Sequence, residues 1–186
     1  MTKGKSFKTA VVSVPTTTAP GPYVAKLTKD GKIALRKVYA LFSDYQEAFY
    51  NGVTENDDGS FSTVNIWNTV QYSPLVPIPS KLYYSLMDTE KYPLAGLRFG
   101  LKDLMPVKGL VTTGGSRAYA RVYDTPANKT APAIERLLGL GAVLVGKAKL
   151  STFAYGSYAY QNMDYSVSAF VNCYNLESFP YSSGIA

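Results

Sequence analysis

Residues 130–146 read TAPAIERLLGLGAVLVG, and this stretch decides the fold. Thr130 stands where a helix N-cap would stand, and Pro132 follows in the first turn, which tolerates a missing N–H. Ile134, Leu137 and Leu138 recur at helical spacing with Glu135 and Arg136 between them. The pattern therefore predicts a helix over residues 131–140, with the three aliphatic residues inward and the two charged ones outward. Gly141 ends it. Ala142-Val143-Leu144-Val145-Gly146 then reads as a buried strand, because a continuous run of branched apolar residues suits a central position. Upstream, residues 97–103 alternate, with Leu97, Phe99 and Leu101 facing one way and Arg98, Gly100 and Lys102 the other. Thr112-Thr113-Gly114-Gly115-Ser116 must be a loop between them. Strand, helix and strand in that order predict an α/β layer.

Further toward the N-terminus the expected elements change. Leu35, Val38, Phe42, Tyr45 and Phe49 step by three and four, which predicts a core-facing helix over 31–50, capped by Asp30 and closed by Gly52. Residues 54–60 form a turn cluster, and residues 61–67, FSTVNIW, alternate as a half-buried strand does. Pro74, Pro77 and Pro79 make an extended connector and mark a boundary near residue 80. The organisation expected is an arm over 1–22 and an α+β region with its Pro-rich connector over 23–80. A second unit follows over 81–156, then a divergent tail over 157–186.

Composition excludes several chemistries. The 186 residues contain no histidine and one cysteine, Cys173, so no histidine-based triad, histidine metal site or internal disulfide can form within them. A base, if there is one, must be Lys, Asp, Glu or Tyr. The net charge is +6, and 46% of residues are hydrophobic, which suits a packed core. All 19 basic residues lie between Lys3 and Lys149, scattered singly or in pairs such as Arg36-Lys37. Nucleic-acid binding is not expected, since a reader of that kind clusters its Lys and Arg on one element. No stretch has the apolar length of a membrane span, and Met1 to Pro22 lacks the apolar centre of a secretory signal, so a cytoplasmic location is expected. The sequon Asn128-Lys129-Thr130 is then not expected to meet a glycosylating enzyme.

Four segments in fixed order resemble a known family. Residues 93–103, PLAGLRFGLKD, resemble the "PLAGIPFGVKD" opening of the amidase signature enzymes. Residues 108–119, KGLVTTGGSRAY, resemble the family's "KGLPTTAGSRAY" loop, and residues 130–141 its next helix. Residues 141–154, GAVLVGKAKLSTFA, resemble "GAVILGKTNLSEFA" almost throughout. Residues 76–84, VPIPSKLYY, look like the fungal branch, in which an extra N-terminal region precedes the amidase domain. The fold implied is part of an amidase-signature-type mixed sheet with packed helices, preceded by a smaller α+β region.

The resemblance implies hydrolysis of a carboxamide C–N bond by a Ser-cisSer-Lys mechanism, with a small-molecule amide as substrate and neither cofactor nor metal. Lys102 matches the lysine base. Such a base must be neutral to accept a proton, a state that burial and serine hydrogen bonds favour. It can then relay a proton from one hydroxyl to another. Asp103 is expected to support loop structure, with Thr113, Gly114 and Gly115 shaping the loop beside the site. Lys147 and Lys149 read as solvated lysines. Beyond Gly156 the match fades, and only Ser182-Ser183-Gly184 resembles the "GGSSGG" loop, which makes Ser182 the candidate relay serine. Pro180-Tyr181 stands where that loop has paired glycines, and Ile185 replaces the glycine that follows. The "DxGGSIR" nucleophile segment has no counterpart, so the expectation is a truncated or misspliced N-terminal portion, inactive by itself. A piece of mixed sheet with unpaired edges is also expected to be poorly stable or to self-associate. The alternative is a non-catalytic binding or regulatory protein that retains part of the fold.

Overall fold

Lys29-Asp30-Gly31-Lys32 makes a reversal between β1 (Tyr23–Leu27) and β2 (Ile33–Lys37), the first strands among the described residues. The computed structural model describes residues 17–46, 48–68, 73–150 and 152–154. Gly31 takes φ +79, the left-handed region that glycine enters without cost, and Thr28 and Lys32 close the turn with an N–H to carbonyl bond of 2.7 Å. The strands pair antiparallel from Tyr23↔Lys37 to Leu27↔Ile33.

The helix expected over 31–50 is therefore replaced by strands. Leu35 lies in β2, Phe42 in β3 (Tyr39–Ser43) and Phe49 in β4 (Phe49–Glu55). The apolar residues do not form a core stripe either, since Phe42 is 57% exposed and Tyr45 is 74% exposed. An apolar spacing of three and four is only a local preference. Pairing with β7 (Ser73–Pro79) overrides it, through five register pairs from Tyr39↔Pro79 to Ser43↔Leu75.

That pairing also corrects the reading of the prolines. The segment expected as a connector is the central strand of a three-stranded sheet, β3-β7-β6, where β6 is Trp67–Asn68. The Leu75 N–H donates to the Ile66 carbonyl, on the β6 side. Pro77 and Pro79, two and four residues on, would aim an N–H the same way, past the end of β6. No ladder bond is lost there, and the prolines are tolerated.

The third sheet, of four strands, carries the amidase-like segments. Its order is β5-β4-β9-β8, with β5 at Phe61–Val64, β8 at Arg98–Lys102 and β9 at Val143–Ala148. β4 pairs antiparallel with β5 and β9, and β8 pairs parallel with β9, so the sheet is mixed as expected. Hydrogen bonding in this sheet crosses residue 80 without a break. Gly52, Gly146 and Gly100 lie in one transverse row over three strands. A Cβ on Gly146 or Gly100 would stand 2.6 or 2.7 Å from the Phe49 ring, so the ring lies on this glycine track.

Between β8 and β9 run α1 (Arg117–Val122) and α2 (Pro132–Gly139). The core joins Val53, Phe61, Leu101, Val107, Leu110, Ile134 and Leu144, with Leu138 packed against it. Leu137, expected inward, is 36% exposed. Thr130 is not the cap. Ala131 holds that position without a side-chain bond, and Thr130 Oγ1 accepts from the Lys108 N–H at 3.0 Å, because the chain turns toward β5 before the helix starts. Gly141 does end α2. At φ +94 it lets its own N–H reach the Leu138 carbonyl at 2.9 Å and the Ala142 N–H reach Leu137 at 3.1 Å, a Schellman closure. Among the described residues no helix is long and apolar enough to cross a membrane.

Candidate active site

β8 and β9 end side by side, with Lys102 opposite Ala148, and the loops that follow them meet. In parallel α/β sheets the crevice outside the carboxyl ends of strands is where ligands bind. Lys102 is the last residue of β8 and is half-buried. Its carbonyl accepts from the Leu104 N–H at 2.8 Å, so the chain turns at once and sends Asp103 down the other face. On the lysine's own face lie two small residues and one ring. Gly100 precedes it by two, Ala148 lies opposite, and Phe49 lies opposite Ala148 on the far side, so Phe49, Ala148 and Lys102 form one row.

Asp103 organises the loop, as expected. It is 1% exposed, and its Oδ2 accepts from the Thr113 N–H at 2.9 Å and from the Thr113 hydroxyl at 2.5 Å. The Gly114 N–H donates to the Asp103 carbonyl at 3.1 Å. Gly114 and Gly115 then take φ +60 and +74, and the Ser116 hydroxyl caps α1 by accepting from the Tyr119 N–H at 3.2 Å. The Phe153 N–H donates to the Gly114 carbonyl at 2.7 Å, which ties the segment after β9 to this loop.

The expectation for Lys147 and Lys149 is overturned. They are 4% and 5% exposed. Lys147 Nζ stands 3.0 Å from Asp103 Oδ1 as an ion pair without a directed hydrogen bond, and donates to the Met105 carbonyl at 2.5 Å. Burial lowers the Lys147 ammonium below the ordinary lysine value, and the Asp103 carboxylate pulls in the opposite direction. A buried lysine without a partner would be far costlier. Lys149 is anchored through its backbone, whose N–H meets the Ala48 carbonyl at 2.8 Å. Sequence reading missed the Asp103–Lys147 pair. The signal was a charge inside the apolar run 142–150, which burial would force to find a carboxylate.

Lys102 thus ends β8 opposite Ala148, next to the brace that Asp103, Thr113 and Lys147 form. Ser182 lies outside the described residues.

The chain is similar to known proteins over part of its length. The amidase family model matches residues 78–180. The A-subunit of the glutamyl-tRNA(Gln) amidotransferase of Rippkaea orientalis is 41% identical over 90 residues, covering 48% of this chain and 17% of that protein. Its counterpart from Deinococcus radiodurans is 48% identical over 68 residues, covering 37% of this chain and 14% of its own length. The chain thus spans well under a fifth of the curated relatives it matches. One solved structure, of a vestigial protein complex that reveals the evolutionary origins of an s-triazine catabolic enzyme, is 39% identical. It covers 34% of this chain and 14% of its own, with a TM-score of 0.32. The urea amidolyase of K. lactis is 24% identical, covers 61% of this chain and 6% of its own, and has a TM-score of 0.39. On the span of the family match, more than half of its residues, the chain belongs to the amidase family.

Proposed function

We propose that these residues supply the lysine arm of an amide hydrolase of the Ser-cisSer-Lys kind, acting on a small carboxamide. Lys102 accepts, through a relay serine, the proton that the nucleophilic serine loses as it attacks the carbonyl carbon. The tetrahedral adduct then collapses, the C–N bond breaks, and the proton returns to the departing amine. Ser182 is the candidate relay. The observation that supports the reading is the place of Lys102 as the last residue of β8, opposite Ala148 at the carboxyl end of the parallel pair and next to the loop that Asp103 holds. The alternative, a non-catalytic binding or regulatory protein, rests on the missing nucleophile segment; the helix expected over 31–50, which would also have favoured it, is replaced by strands.

The 186 residues alone are expected to be inactive, because no segment matching the nucleophile turn lies among them. Ammonia release from simple carboxamides tests both parts of the reading. The full product of the gene should lose activity by about 10²–10⁴-fold in Lys102→Ala, the range for removal of a general base, and should also fall in Ser182→Ala. Full activity in Lys102→Ala would overturn the assignment. Turnover by the 186-residue chain that disappears in Lys102→Ala would mean that a serine within it is the nucleophile, and would overturn the expected inactivity.

A further inference from the structure

A cavity lies at the opposite end of β9 from Lys102, beside Ala142, Val143 and Leu144, about 15 Å along the strand. Its volume is about 260 Å³. Leu138, Leu144 and Met87 are among its apolar lining. Two unlike charges also line it, Lys37 at the end of β2 and Glu55 at the end of β4, with Tyr39 and Tyr84 near them.

Arg36, next to Lys37, pairs with Asp57 at 2.7 Å, but neither Lys37 nor Glu55 has an ion-pair partner within 4.0 Å among the described residues. The Lys37 ammonium instead stands 5.7 and 6.0 Å from the ring centroids of Tyr83 and Tyr84, which turns it over the aromatic wall. Burial holds the Tyr84 hydroxyl up to about 12, with the Glu55 charge adding to it, and raises Tyr39 for the same two causes. Both hydroxyls therefore remain donors, and Glu55 is close enough to act on each.

We propose that this cavity binds a zwitterionic α-amino acid with an apolar side chain. The carboxylate meets Lys37 and the tyrosine hydroxyls, the ammonium meets Glu55, and the side chain lies against Leu138, Leu144 and Met87. A ligand bearing only one charge would leave the other wall group unanswered, and the volume suits one side chain of moderate size. This site is separate from Lys102 and stands or falls independently of the hydrolase reading.

Titration of the 186-residue chain with three probes, at a concentration where sedimentation shows a monomer and followed by amide chemical shifts, tests it. The probes are L-leucine, 4-methylpentanoate, which lacks the ammonium, and 3-methylbutylamine, which lacks the carboxylate. L-leucine should saturate and shift the amides of Lys37, Glu55 and Tyr84. Each one-charge probe should bind about tenfold or more weakly, equivalent to ~1.4 kcal/mol. Lys37→Met and Glu55→Gln, both at exposed positions and so compatible with folding, should each weaken L-leucine to the level of the one-charge probe. Equal binding of either one-charge probe would overturn the amino-acid assignment. Lack of saturation in the millimolar range, or unchanged binding in both variants, would overturn the site.

Discussion

Asp103 Oδ1 stands 3.0 Å from Lys147 Nζ, and this contact clamps the turn after β8 to the interior of β9. Both side chains are almost wholly buried, so the pair is one unit energetically. Asp103→Ala leaves an unpaired buried ammonium and should cost about 3–5 kcal/mol in urea denaturation. Replacing both members while keeping an acceptor for Thr113, as Asp103→Asn with Lys147→Met, should recover most of that loss. A single Asp103→Ala variant with unchanged stability would contradict the clamp.

Gly52 allows β4 and β7 to approach where a side chain could not fit. A Cβ there would stand 2.7 Å from the Leu75 carbonyl oxygen, and would also run into the Pro77 ring. Gly52→Ala should destabilise by about 1–3 kcal/mol, the range for overpacking against atoms that cannot retreat. Thermal unfolding of the variant would check this. Gly59→Ala makes a useful contrast. Its Cβ meets nothing within 4 Å, so only the strain of φ +71 remains and a smaller loss is expected.

Tyr84 predicts how the fold responds to alkali. Its hydroxyl ionises near pH 10.0 in the unfolded chain and near 12 in the folded one, chiefly because burial opposes the phenolate. The folded state therefore holds this proton more tightly. Its contribution is complete below pH 10 and is lost as pH rises from about 10 toward 12. Denaturation midpoints measured across that window should fall less steeply in Tyr84→Phe than in the parent. Parallel slopes would show that Tyr84 is not the group responsible.

β8 is the last strand of its sheet among the described residues, and an open strand edge invites pairing with another chain. The isolated 186 residues should therefore self-associate as concentration rises, with sedimentation shifting toward dimers and larger species. A dilute monomer with one cooperative thermal transition would count against this.

The most legible part of the fold was the stretch from Pro132 to Ala148. There the helical spacing is unbroken, Gly141 marks the stop, and the strand is apolar from Val143 to Gly146. The 31–50 stretch was misread because Leu35, Val38, Phe42, Tyr45 and Phe49 fit helical spacing by count alone. The turn at Asp30-Gly31 was the competing local signal, and the deciding partner, β7, lies some thirty residues downstream. The prolines of β7 were misread for a related reason: what matters is the direction in which each missing N–H would have pointed. At the candidate site, Lys102 stood out only through the family resemblance, since a lone lysine carries no signal. The Asp103–Lys147 brace depends on a contact across 44 positions, which no local pattern encodes.

The placement of β4 between β5 and β9 has a kinetic consequence. Phe49 meets Ala148 across a separation of about a hundred residues, and β4 leaves the ribosome long before its partner exists. The β4–β5 hairpin can form early. One of its flanks must then wait, with the glycine row open, until β9 arrives. Closure of that seam should be the slow step in refolding, and the waiting hairpin is the state in which the chain is most exposed to misassembly.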